Sequence, residues 1–179
     1  MKKITFFWFL ILITSFSASA KEVFIEPSNN SHEEVQTALI ELSPGDVLTL
    51  SPGTFVFEDG LSLDVDEVIV RGSGMDETIL DFKNQMSGAQ GLLVTSDRVT
   101  LKDFAVTDAK GDAIKVIGAE GINMINLKTE WTGGPKSTNG AYGLYPVESS
   151  DVLIDGCVAI GASDAGIYVG QSRDRKSVV

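Results

Sequence analysis

The 179-residue chain is poor in the residue types that most often carry crosslinks, catalysis or nucleic-acid binding. A single cysteine rules out an intramolecular disulfide. The only histidine, His32, stands at the start of a helical stretch, where a solvated residue is expected rather than a ligand or a base. Bases are scarce as well, 14 against 25 acids for a formal charge of −11. A surface so acidic repels polyanions, and phosphate neutralisation needs Lys and Arg, so nucleic acid is not an expected partner. Asn-Gly and Asp-Gly links between paired apolar runs are few, which argues against a sandwich of hairpins.

One apolar run, 4–13, is too short to span a bilayer comfortably. Lys2 and Lys3 precede it and Ala18-Ser19-Ala20 follows, the layout of a secretory signal peptide over 1–20. No cysteine marks a lipoprotein cleavage point. The short Lys-Lys start looks bacterial, and a secreted or periplasmic product with no membrane span after cleavage is expected. Removing 20 residues from 179 leaves about 159, one domain's length, over 21–179. Removing two lysines leaves 12 bases against 25 acids, about −13.

The stretch 98–174 is where the pattern is clearest, as three laps of one motif. Val99, Ile122 and Val152 fall in register, then Leu101, Met124 and Ile154, then Phe104, Leu127 and Cys157, then Val106, Thr129 and Ala159. A small residue follows at Ala113, Gly143 and Gly166, then Ile114, Leu144 and Ile167, then Val116, Pro146 and Val169. Laps one and three repeat at about 23 residues, inside the ~20–50 range of repeat architectures. Lap two matches once roughly seven residues between Trp131 and Asn139 are treated as an insertion projecting as a loop.

Apolar residues alternate within each lap, so each lap holds short strands with one face buried. The skip from 101 to 104 breaks that parity, and Asp103, Asn126 and Gly156 sit at the break, residue types that tolerate a left-handed bend. Like residues stacking over like residues imply an all-β fold, a right-handed single-stranded parallel β-helix. The lap register places Cys157 in its core as a small buried residue.

Residues 31–42 form the one clear helix. Ser31 and Glu34 are spaced as a capping box, and Val35, Ala38, Leu39 and Leu42 make one apolar stripe. The helix is expected to cap the first rung, because an open β-helix end exposes strand edges and core side chains. Strands are expected at 47–50, 55–57, 61–63, 68–70, 78–82 and 92–94. Lap three calls for a new strand near residue 175. The sequence there reads Arg173-Asp174-Arg175-Lys176-Ser177-Val178-Val179 and stops, leaving the last rung open. The expectation is a chain that lacks later rungs of a longer protein; the alternatives are a short natural end at 176–179 or an edge that pairs with another molecule.

The segment EEVQTALIELSPGDVLTLSPGTF followed by VIVRGSGMDETILDF resembles the opening of bacterial right-handed parallel β-helix proteins of the pectate-lyase-like superfamily. The later laps look like the repeats of exported bacterial β-helix proteins of unassigned function. That superfamily contains polysaccharide lyases, glycoside hydrolases, uronate epimerases and carbohydrate-binding or structural rods, and fold alone does not choose among them. The resemblance implies a poly- or oligosaccharide partner. Polyuronates such as pectate or alginate would be repelled by the acidic surface unless a cation such as Ca²⁺ bridged them. No ligand motif supports Ca²⁺, so no cofactor and no metal is expected. The Gly-His-Gly segment of galacturonan hydrolases has no counterpart after His32, and Asp81, Asp103, Asp108 and Asp112 form no recognisable ligand set.

Tyr142-Gly143-Leu144-Tyr145-Pro146-Val147 resembles the Tyr-Gly-Phe-Asp-Pro-His segment of β-helical mannuronate C5-epimerases, with Tyr145 and Val147 where those enzymes hold the acid and the histidine. Tyr142 and Tyr145 remain weak catalytic candidates, if Lys136 or Lys115 lowers a tyrosine pKa. Tyr145 and Tyr168 occupy one lap position, with Lys115 a rung earlier, so a Lys–Tyr–Tyr ladder is expected, joined by Trp131 and Tyr142 as a sugar platform. The leading reading is an exported carbohydrate-binding or polysaccharide-associated β-helix without evident catalytic activity. A lyase or C5-epimerase cut short of its full active site, and a structural or assembly module using an open strand edge, are the alternatives.

Overall fold

A computed structural model describes residues 20–178. The expected signal peptide, apart from Ala20, lies outside the described residues. From Glu22 onward the chain winds as a parallel β-helix of three sheets, and each full lap adds one strand to each sheet.

Sheet A contains β1 (Glu22–Ile25), β2 (Val47–Leu50), β5 (Ile69–Arg71), β8 (Thr100–Lys102), β11 (Glu120–Ile125), β14 (Ser150–Asp155) and β17 (Arg173–Val178), in that spatial order. Sheet B stacks β3 (Gly53–Val56), β6 (Thr78–Asp81), β9 (Ala105–Thr107), β12 (Lys128–Glu130) and β15 (Val158–Ile160). Sheet C stacks β4 (Leu61–Leu63), β7 (Gln90–Val94), β10 (Asp112–Ile117), β13 (Tyr142–Val147) and β16 (Ala165–Ile167). Every strand pair is parallel, because a lap must be completed before the chain returns to a given sheet.

The registers match the lap alignment: Leu101 pairs with Met124 and Met124 with Ile154, Val106 with Thr129 and Thr129 with Ala159, Ile114 with Leu144 and Leu144 with Ile167. These columns point inward and form one continuous core. In the early rungs the core is aromatic, with Phe57 and Phe82 stacked at 4.8 Å between centroids. Each fully buried Leu, Ile or Phe contributes about 1.5–3 kcal/mol, and the rung-on-rung repetition sums that term along the axis. Cys157 is buried in this core and burial pushes its thiol pKa up, as a small apolar residue there requires.

The corners are built from left-handed residues stacked one above another. Asp103, Asn126 and Gly156 have φ of 61, 50 and 62°, as their position at the parity break implies. Asn126 Nδ2 donates to Asp103 Oδ1 at 3.1 Å, tying adjacent bends. A second ladder was not anticipated. Gly45, Glu67, Arg98, Gly121, Asp151 and Asp174 occupy equivalent corners where the chain enters sheet A, with φ from 46 to 96°. Most are not glycine, so the strain is met by partners: Arg98 spans Glu67, Asp66 and Asp97.

The helix α1 (Ser31–Glu41) buries Val35, Ala38 and Leu39, with Leu42 just beyond it, against the first rung. The capping box does not form. Asn30 is the N-cap and makes no side-chain capping bond. Ser31 instead turns inward, its hydroxyl donating to the Ser28 carbonyl and accepting the Ser28 N–H, while Glu34 accepts from the Ser28 hydroxyl. The preceding turn therefore captures both members of the expected box. His32 is half-buried rather than solvated: its ring meets the edge of Phe57 at 6.1 Å, and Nδ1 has no hydrogen-bond partner.

Two strands fall outside those expected from the apolar runs. β1 is set by pairing with β2 from Glu22↔Val47 to Ile25↔Leu50. β17 forms where lap three called for it, pairing Ser150↔Arg173 through Asp155↔Val178, although its sequence is polar. The exposed edge of β14 supplies the hydrogen bonds, so backbone pairing overrides side-chain pattern there. Among the described residues no helix is long and apolar enough to cross a membrane.

Candidate functional site

The outer face of sheet C gathers most of the residues singled out in the sequence. The pairings Ser62↔Leu93, Leu93↔Lys115 and Lys115↔Tyr145 make one outward column, and Tyr168 follows in the next rung after Leu144↔Ile167. A neighbouring column runs from Gln90 to Asp112, then to Tyr142, paired with Ala165. Tyr142 and Tyr145 are the two half-buried residues of β13 while Leu144 and Pro146 are buried, so the strand departs from strict alternation between 142 and 145.

The three tyrosines pack against one another. Ring centroids lie 4.4 Å apart for Tyr142–Tyr145, 5.1 Å for Tyr142–Tyr168 and 5.5 Å for Tyr145–Tyr168, the last two pairs stacked. Lys115 Nζ lies 5.2 Å from the Tyr145 ring centroid, a cation–π contact at the lower end of the cluster. Tyr168 is 43 % exposed and forms the open side. Gly170 is what lets the rings settle: a Cβ there would meet Tyr168 Cε1 at 3.0 Å.

Polar groups also surround Tyr142. The Tyr142 hydroxyl bonds the Asp164 carboxylate, which, aided by desolvation, holds the phenol pKa above its usual value. That direction is opposite to the lowered pKa considered for a catalytic tyrosine at this position. Burial lifts the Asp112 carboxyl against the opposing pull of the Tyr142 N–H, 3.3 Å from Oδ1, and of Lys115. Val147, at the histidine position of the epimerase-like segment, is buried.

Trp131 and Lys136 are placed elsewhere. Trp131 is 5 % exposed and part of the core, and its indole donates to the Ala109 carbonyl at 2.8 Å. Its ring packs on Gly140, where a Cβ would stand 2.7 Å from Cζ2 and 1.7 Å from the Gly111 carbonyl oxygen, so only glycine fits. Trp131 thus pins the insertion to the rung below and is not a member of the sugar platform. The insertion is also held by Asp108, whose carboxylate accepts from Thr132 N and Oγ1 at 2.7 and 2.6 Å, and by Asn139, which donates to the Gly134 and Gly161 carbonyls at 2.9 and 2.6 Å. Lys136 is exposed on this loop, at the corner between sheets B and C. Of the acids, Asp81 accepts the Lys83 N–H, Asp103 serves the bend and Asp108 the loop. Among the described residues no group of three or more His, Cys, Asp or Glu is arranged to hold a metal.

Asp164 is the site residue that sequence reasoning missed. It lies ahead of the repeat's apolar positions, and only the stacking of one rung on the next brings it to Tyr142.

No protein-family model matches the chain and no curated protein matches it in sequence. Solved structures do. An alginate lyase from Paenibacillus sp. str. FPU-7 superposes with a TM-score of 0.64 at 18 % identity, over 89 % of this chain and 58 % of that one. The PL6 family alginate lyase AlyGC matches at a TM-score of 0.49 and 16 % identity, over 88 % of this chain and 20 % of that one. The chain thus spans a little over half the length of the first and a fifth of the second. The first likeness establishes the fold as a right-handed parallel β-helix.

Proposed function

We propose that this protein is an exported, polysaccharide-binding β-helix whose sugar platform is the Tyr142–Tyr145–Tyr168 cluster with Lys115. The observation that carries this reading is three mutually packed tyrosines on the outer face of sheet C, one of them 43 % exposed. Aromatic faces pack on the apolar faces of pyranose rings. The Tyr142 hydroxyl, Asp164, Asp112 and the Lys115 ammonium ring that surface with donors and acceptors suited to sugar hydroxyls. The rings hold one another, so little side-chain freedom is lost when a ligand lands. The fold likeness to an alginate lyase supports a polysaccharide as the ligand class, and the signal-like 1–20 segment supports export to the periplasm or beyond.

The test is retention on immobilised glycans, neutral and uronate-bearing, of the wild type and the Tyr145→Ala/Tyr168→Ala double variant. Loss of two stacking surfaces is expected to weaken retention about tenfold. Unchanged retention removes the platform.

A second reading, a lyase acting on uronate polymers, is favoured by the alginate lyase likeness. Its chemistry needs a base that takes the proton beside the uronate carboxyl, and the raised pKa of Tyr142 beside Asp164 works against that role. Incubation with uronate polymers, with and without Ca²⁺, decides it: ultraviolet absorbance from unsaturated products would establish turnover and displace the non-catalytic reading.

A further inference from the structure

Arg71, Arg98, Lys102 and Lys128 are each paired with a carboxylate. In a chain with 25 acids to 14 bases, such pairing is what chance alone would favour. Lys83, Lys110 and Lys136, like Lys21, Lys115 and Arg173, have no salt bridge among the described residues, and these three alone of that group line one furrow of about 520 Å³ at the corner between sheets B and C. One follows β6, one follows β9 and one belongs to the insertion after β12, so three successive rungs each contribute a lysine. Lys110 Nζ is anchored on the Met86 carbonyl at 2.9 Å. The only acid in the furrow lining is Asp108, and both its oxygens are engaged by Thr132. Three lysines against the single Asp108 carboxylate leave the lining with an excess of positive charge, which an anion from outside would offset.

We infer that this furrow is a second binding site, a track for a carboxylate-bearing polysaccharide. Rungs rise by about 4.8 Å, so the three lysines are spread over about 10 Å of the axis, too far for one small anion to reach all of them. A polymer that repeats a charge along its length does reach them. Lysine presents a compact charge rather than the planar fork that arginine offers to phosphate, and the furrow contains no arginine. Trp131 borders it with its ring buried, so no aromatic surface is free there to stack a nucleobase. The furrow adjoins the tyrosines through the insertion loop, which runs directly into β13 and Tyr142. The chain's overall negative charge repels a polyuronate at long range, and this corner sets three lysines against one aspartate. The inference builds on the polysaccharide reading of the tyrosine face but uses different residues.

The experiment measures binding of the intact protein to oligogalacturonate and to a neutral glucan of equal length, at low and moderate salt. It uses the wild type, the Lys83→Gln/Lys110→Gln/Lys136→Gln variant and the tyrosine double variant. All three lysines are exposed, and unchanged thermal melting confirms that the variant folds. The triple variant is expected to bind the uronate about tenfold more weakly, with a flatter salt dependence and unchanged affinity for the neutral glucan. Equal uronate binding by the triple variant, or no wild-type uronate binding at low salt, overturns the furrow. So does duplex DNA or polyphosphate binding as tightly as the uronate, which would mark an unselective cationic patch. If the tyrosine variant binds both glycans like the wild type while the lysine variant loses the uronate, the tyrosine platform fails and the furrow stands.

Discussion

The first rung of a β-helix has no rung beneath it, and Gln36 shows how this chain closes that end. β4 is the edge strand of sheet C, so the N–H and C=O of Ser62 face away from β7 with no strand to meet them. Gln36, on the side of α1, fills both positions: its Nε2 donates to Ser62 O at 3.0 Å and its Oε1 accepts Ser62 N–H at 2.9 Å. One amide side chain thereby imitates the missing strand. Gln36→Ala removes two neutral hydrogen bonds worth about 0.5–1.5 kcal/mol each. Ser62 is exposed, so water recovers part of that, and alanine returns a few tenths through helix propensity. The net loss is about 1–2 kcal/mol, which for a domain of this size lowers Tm by about 2–8 °C. Thermal unfolding by circular dichroism reads the stability, and amide hydrogen exchange at Ser62 reads the bond itself. Gln36→Met keeps the length of the side chain without its amide and should behave like the alanine variant. If both variants melt with the wild type and Ser62 exchanges no faster, the amide clasp contributes nothing and the edge is protected by α1's apolar packing alone.

Thr129 is fully buried with no partner for Oγ1, between Val106 and Ala159 in the same inward column. Thr129→Val removes an unsatisfied hydroxyl at similar volume and is expected to stabilise by about 1–2 kcal/mol, read as a higher midpoint in urea; a lower midpoint would show that the hydroxyl is satisfied or that the methyl crowds Gly143. Glu22, bonded by the Thr49 hydroxyl and Arg71, and Asp46, bonded by the N–H groups of Lys21 and Ser43, are both held below the usual carboxylate pKa. Depressed folded values mean stability that is present above about pH 4 and lost as pH falls through those values. Glu22→Gln with Asp46→Asn should therefore flatten the acid limb of a stability–pH curve, and an equally steep limb refutes the assignment.

The solenoid was legible because its signal is redundant: each inward column is written several times, so Leu101, Met124 and Ile154 announce one position together. The sheet C site was legible for the same reason, since Lys115, Tyr145 and Tyr168 share a lap position and the structure stacks them. What was not legible depends on contacts between rungs that the repeat does not encode. Ser31 and Glu34 have capping-box spacing, yet Ser28 lies close enough to take both. Trp131 begins an insertion, a position that suggests exposure, but the carbonyl of Ala109 one rung earlier captures its indole. The polar strand β17 was legible only through the lap spacing, because it has no side-chain pattern and the backbone edge of β14 supports it. The ladder of left-handed corners was hidden because Glu67 and Arg98, which begin it after Gly45, are not residues that usually mark such a conformation.

The insertion in the second lap explains why two different surfaces meet where they do. A regular lap passes from sheet B to sheet C by a short corner, and such a corner offers a ligand little besides backbone. The extra residues widen it, and the Trp131, Asp108 and Asn139 contacts hold the widened loop to the rungs on either side. A loop tied that firmly sets the backbone that carries Lys136 beside Lys110 and Lys83. The same loop delivers the chain to β13 in register, which sets Tyr142 over Asp112 and against Tyr168. Both surfaces are thus ordered before any ligand arrives, and the ordering cost is met in folding rather than in binding. The two respond differently to solvent: stacking on the tyrosines is nearly independent of salt, whereas the lysine furrow weakens as ions screen it. A charged glycan that uses both should therefore lose only the furrow's share of its affinity as salt rises, and then bind like a neutral one.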